Sequence, residues 1–119
     1  MGDHIEWVLE MDIREESADQ VQALVTEMVS ETRAKEPGAL VYEYFLNAER
    51  TRCTVIERYA DNEAVMTHLE NFGAHFAKRF FSVFQPVRFS VYGPADENVR
   101  EALSQLGATF DDRLVGFSR

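Results

Sequence analysis

Strand-like and helix-like stretches follow one another in a fixed order, and that order limits the fold more than any other feature of the chain. Residues Ile5–Ile13 alternate strictly, with Ile5, Trp7, Leu9, Met11 and Ile13 on one face, as in a half-buried strand. Ser17-Ala18-Asp19-Gln20 matches a capping box, and Val21, Leu24, Val25, Met28 and Val29 then recur at helical spacing to about Lys35. Glu36-Pro37-Gly38 stops that helix. Ala39–Leu46, rich in Tyr, Val and Phe, reads as a second strand, 47–51 as a turn, and 53–59 as a third strand. Asp61 suits the N-cap of a second helix that carries Ala64, Val65, His68, Leu69 and Phe72. Gly73 is expected to break it, residues 75–84 to form a further helical piece, and 87–92 a fourth strand.

Strand-helix-strand-strand-helix-strand is the ferredoxin-like split βαββαβ arrangement, an α+β fold with an antiparallel sheet and both helices on one face. Residues 1–93 are expected to form this domain and 94–119 a C-terminal extension, with a third helix at 96–106 and Gly107 as its C-cap. Two helices cover only one face of a sheet. Leu40, Tyr42, Tyr44 and Leu46 alternate with Val41 and Phe45, and Val55 with Ile56, so both faces carry apolar bulk. A second subunit covering the open face is the simplest explanation, with the extension folding back as the alternative.

The 119 residues suffice for one domain with one core. A net charge of −9 repels phosphate backbones and anionic lipid, which argues against nucleic acid or a membrane as partner. No apolar run reaches the length of a membrane span. The start of the chain lacks the basic and apolar regions of a signal peptide, and the single Cys53 cannot form an internal disulfide. A cytoplasmic location is therefore expected.

The run Glu36-Pro37-Gly38-Ala39-Leu40-Val41-Tyr42, then Glu57-Arg58-Tyr59-Ala60-Asp61, Ala64 through His68, and His75-Phe76, resembles the antibiotic biosynthesis monooxygenase family of dimeric α+β barrel proteins. The resemblance covers roughly residues 5–92 and leaves the extension outside. It implies a homodimer, with a pocket between sheet and helices in each subunit. Some members oxidise polycyclic phenols or quinols with O2 and neither metal nor flavin. Others degrade haem or isomerise a signalling molecule. The haem-degrading branch carries a Trp and a later His where this chain has His68 and Lys78, which argues against haem chemistry here.

The residues that could carry chemistry begin with His68 and His75, seven apart and hence on one face of an unbroken helix, roughly 10 Å apart in rise. Either imidazole could act as a base on a phenolic proton; the plainer role is a helix histidine bonded to a carboxylate or carbonyl. Their spacing is too wide for one metal ion, and no metal-binding motif or phosphate-cradling glycine loop is present, so no cofactor is expected. Glu57 shares a strand face with Val55 and Tyr59; if covered, its pKa would rise and it could accept or donate a proton. The duller alternative is an ion pair with Arg88, which could instead steady an oxyanion. Tyr42, Tyr44, Tyr59 and Trp7 could line a site for a small aromatic molecule, although core packing is the default for Trp7. Phe72, Phe76, Phe80 and Phe84 suggest an apolar region beside the histidines. Two functional classes remain open: a cofactor-independent monooxygenase-like enzyme acting on a small aromatic or quinol-type substrate, and a non-catalytic dimeric ligand-binding or stress-related domain.

Overall fold

The computed structural model describes residues 3–119. Its order is β1 (Ile5–Ile13), a 3-10 turn (Glu15–Gln20), α1 (Val21–Lys35), β2 (Ala39–Leu46), β3 (Arg52–Tyr59), α2 (Asn62–His75), α3 (Ala77–Val83), β4 (Phe84–Tyr92), α4 (Glu97–Ser104) and β5 (Thr109–Asp111). The sheet runs β2-β3-β1-β4-β5. The first four strands pair antiparallel in the ferredoxin-like manner. The extension adds β5 parallel to β4, so the sheet is not purely antiparallel as the sequence pattern suggests. It stays open within the chain.

The alternation in β1 works as expected. Ile5, Trp7, Leu9 and Met11 face the helices and are buried, and Cys53, Val55, Glu57 and Tyr59 continue that face in β3. Val21, Leu24 and Met28 of α1, Val65 of α2 and Phe80 and Val83 of α3 close the core from above. Each such side chain contributes about 1.5–3 kcal/mol on leaving water.

Three local expectations need correction. Ser17 makes no capping bond; it is buried and its hydroxyl donates to the Ser82 carbonyl at 3.0 Å, while α1 starts at Val21. The second helix passes through Gly73, which has open space around it, and breaks at Phe76 with φ −128°. The fourth strand starts at Phe84, because a register shift opposite Glu10 and Met11 lets Pro86 sit in the strand without a ladder donor. Asp61 caps α2 as expected, accepting from the Ala64 N–H at 2.8 Å.

Gly38 sets where α2 lies. Its carbonyl accepts from the Ala60 N–H at 2.9 Å, and a Cβ built there would lie 2.7 Å from the Ala64 Cβ. Nothing larger than glycine lets the start of β2 reach the first turn of α2. Gly38→Ala is expected to lower stability by about 1–3 kcal/mol, read by urea denaturation; an unchanged midpoint would show that α2 is not held by this contact.

The extension does more than trail. Val99 and Leu103 of α4 are fully buried, and Asp96 caps that helix by accepting from the Val99 N–H. Beyond β5, Leu114, Val115 and Phe117 are almost wholly exposed. On the helix-free face of the sheet, Phe45, Ile56 and Tyr92 are also exposed.

Candidate active site

His68 is the centre of the arrangement. It lies on the sheet-facing side of α2, is only 5% exposed, and stands between two buried carboxyl groups. Its Nδ1 is 2.9 Å from Glu36 Oε1, and its Nε2 is 3.5 Å from Glu57 Oε1. The first separation is a hydrogen bond; the second is a close charge contact. Glu36 leads the helix stop after α1, and its other oxygen accepts from Asn71 Nδ2 at 3.3 Å. Glu57 lies on β3 and accepts from the Tyr59 hydroxyl at 2.5 Å. Tyr42 and Tyr59 flank the imidazole at ring-centroid distances of 5.4 and 5.1 Å. Tyr42 and Tyr44 share a hydroxyl–hydroxyl bond of 2.9 Å.

Electrostatics follow from this burial. Desolvation raises the Glu57 pKa, against the opposing pull of His68 and the hydrogen bonds from Tyr59 and Trp7. For His68, desolvation alone would lower the pKa, but the Glu36 hydrogen bond and the charges of Glu57 and Glu36 together outweigh it, and the net shift is upward. Protons are thus held on Glu57 and His68 above their ordinary pH range. Tyr42, Tyr44 and Tyr59 are all pushed upward, chiefly by burial, and remain phenols. They can donate hydrogen bonds and cannot serve as phenolate bases. Cys53 is pushed up to about 11 by burial, which leaves it an inert thiol.

The acid–base set opens on a narrow cleft between sheet and helices, whose empty volume, mouth included, is about 500 Å³. Tyr42, Tyr44, Glu57 and His68 form its polar end. Trp7 and Leu9 of β1, Phe72 of α2, Phe80 and Phe81 of α3, and Phe89 of β4 line the rest. Leu103 and Leu106 of the extension close one side. Among the described residues no lysine or arginine lines the cleft. A second cavity lies on the other side of the imidazole, floored by Glu36, His68 and Asn71, with Glu31, Lys35 and His75 also lining it.

The structure brings together His68, Glu57, Tyr42, Tyr44, Tyr59, Trp7 and Phe72. It does not bring in the other two candidates. His75 shares the helix but is exposed and lines only the second cavity. Arg88 points to the open face of the sheet opposite Glu10, so neither an ion pair with Glu57 nor a role in the cleft is available to it. Sequence reasoning missed Glu36 and Asn71. Glu36 reads as part of a helix stop, and its partner lies 32 residues away. Among the described residues no group of three or more His, Cys, Asp or Glu is arranged to hold a metal ion. The two carboxyls lie on opposite edges of the imidazole rather than converging on one point.

Comparison with known proteins agrees with this architecture. Residues 5–79 match the model of the antibiotic biosynthesis monooxygenase family. No curated protein matches the chain. MupZ from Pseudomonas fluorescens is 27% identical and superposes with a TM-score of 0.85, covering 98% of this chain and 95% of its own. Rv0793 from Mycobacterium tuberculosis is 23% identical with a TM-score of 0.59, covering 80% and 98%. A protein of Caulobacter crescentus CB15, described as a candidate antibiotic biosynthesis monooxygenase, is 22% identical with a TM-score of 0.65, covering 79% and 92%. The last two likenesses speak for the fold alone. With the family model spanning most of the ferredoxin-like domain, the chain belongs to the antibiotic biosynthesis monooxygenase family.

Proposed function

We propose that the protein is a cofactor-independent acid–base enzyme of the monooxygenase type. Glu57, coupled to His68, takes a proton from a neutral, largely apolar substrate, and the electron-rich anion so formed passes an electron to O2. The observation that carries this reading is a buried carboxyl–imidazole pair, Glu57 and His68, at the polar end of a largely apolar cleft, with Glu36 bonded to the far side of the imidazole. Tyr42 and Tyr44 supply hydroxyl donors for a substrate oxygen. With no lysine or arginine among the described residues of the lining, and with the Glu57 carboxyl at its end, the cleft favours neutral phenols and quinols over carboxylates or phosphates. The test is oxygen uptake with a panel of anthrones and hydroquinols, run after exhaustive chelation. Uptake that survives chelation supports the reading, and uptake restored only by one added metal opposes it.

A second reading uses the same residues without O2. A base at Glu57 and hydroxyl donors at Tyr42 and Tyr44 can take a proton at one atom and return one at another. Its support is the acid–base geometry itself, which calls for no oxidant: a carboxyl, an imidazole and two hydroxyls at one end of the cleft. Turnover under strict anaerobiosis separates the two readings. Failure of both would leave a ligand-binding domain without turnover.

The homodimer belongs to the same proposal. Phe45, Ile56 and Tyr92 on the open face, with Leu114, Val115 and Phe117 beyond β5, form apolar surface that a second copy would cover. Light scattering at micromolar concentration should give twice the monomer mass; a clean monomer contradicts it.

A further inference from the structure

We propose that protons reach and leave the acid–base set through the second, polar cavity, by way of Glu36 and His68, and not through the mouth of the substrate cleft. This rests on the acid–base reading of the site but adds a separate port and a positioning residue, Glu36. The geometry is that of a partition. Tyr42, His68 and Phe72 wall both cavities. The imidazole presents a nitrogen to each side, whereas the Tyr42 hydroxyl, which touches Tyr44 on one side and Thr32 on the other, is held as a phenol by burial and does not ionise to relay a proton. Nε2 faces Glu57 on the cleft side, and Nδ1 bonds Glu36 on the other.

The charged and titratable groups facing this path are few. Glu31, Lys35 and Glu36 come from α1 and its end, and His75 comes from α2. Glu57 and Tyr59 of β3 and Tyr42 of β2 stand on the cleft side. The cavity is lined by polar groups able to hold water, whereas the cleft beyond Glu57 is aromatic and aliphatic.

The transfer balances with no other reactant. A proton taken from substrate onto Glu57 passes to His68 Nε2. The imidazolium gives its Nδ1 proton to Glu36 Oε1, and Glu36 gives it to water in the polar cavity. Returning a proton along the same path restores the original tautomer. The cleft can then stay closed around an apolar substrate while its protons equilibrate with solvent, which protects a reactive anion from bulk water.

The test reads the route directly and needs no substrate. The exchange of the His68 imidazole N–H protons with water is measured by NMR on the 15N-labelled full chain. Glu36→Gln keeps the side-chain shape but cannot take up the proton, and is expected to slow exchange by more than about tenfold. Asn71→Leu replaces a polar wall of the cavity beside Glu36 with an apolar one and removes the bond to Glu36 Oε2, leaving Oε1 on His68 Nδ1, and is expected to slow exchange as well. It serves if Glu36→Gln proves too unstable. Leu106→Trp narrows the cleft and is expected to leave exchange within about twofold. The proposal is overturned if Leu106→Trp slows exchange as much as the polar-cavity variants do, or if those variants leave it unchanged. Either result is independent of whether the protein turns over any phenol or quinol. Conversely, absence of turnover in an intact relay would count against the proposed function alone.

Discussion

Glu57→Gln is expected to lower turnover by about 10²–10⁴-fold with the fold intact. The amide oxygen can still accept from Tyr59, and the side chain still fills the same space, so binding in the cleft should change little. What disappears is the carboxylate on the cleft side of His68 that can take up a proton, since the three tyrosines remain phenols and cannot. The loss should therefore fall on kcat with KM nearly unchanged. A variant with close to full turnover would remove Glu57 from the chemistry and leave it a structural carboxyl.

His68→Leu is expected to cost about 3–5 kcal/mol of stability, because it leaves Glu36 and Glu57 buried with no group between them to share a proton. Urea denaturation at neutral pH measures it. The wild type also carries a pH signature of the same site. Glu57 and His68 both have folded-state pKa values raised above their ordinary 4.5 and 6.5. Below those values folded and unfolded chains are both protonated, and the stabilisation is fully present. As pH rises, the unfolded chain releases its protons first, so the folded state binds more and stability falls. The slope is at most about 1.4 kcal/mol per pH unit for each proton. This fall begins above 4.5 for Glu57 and above 6.5 for His68. In His68→Leu the deficit should narrow as acid neutralises the carboxyls; a deficit independent of pH would attribute it to lost packing instead.

Periodicity made the domain legible because it is a local signal. The alternation from Ile5 to Ile13 needs only a covered sheet face to read correctly, and Asp61 needs only the three residues after it. The Ser17 capping box failed for a tertiary reason: the Ser82 carbonyl, 65 residues on, takes its hydroxyl. Gly73 was misread because a glycine inside a helix costs about 1 kcal/mol and need not end it. The short parallel β5 has no periodicity to detect over three residues. For the site, His68 and Glu57 were visible as a titratable helix residue and a carboxylate on a core-facing strand position. Their link to Glu36 was not, since it joins a helix terminus to a helix interior across the fold. Arg88 alternates with Phe89 and Val91, which face the core, and pairs with Glu10, so the alternation of β4 itself puts it on the face away from Glu57.

The central claim is that Glu57 and His68 share protons as one unit poised for proton transfer. The direct measurement is an NMR titration following the Glu57 carboxyl carbon and the His68 ring nitrogens in the same samples. The account predicts midpoints displaced upward from 4.5 and 6.5, with the two residues' signals moving together and with Glu57→Gln altering the His68 curve. A Glu57 carboxyl ionising at its ordinary value, beside a His68 that titrates independently of it, would contradict the account.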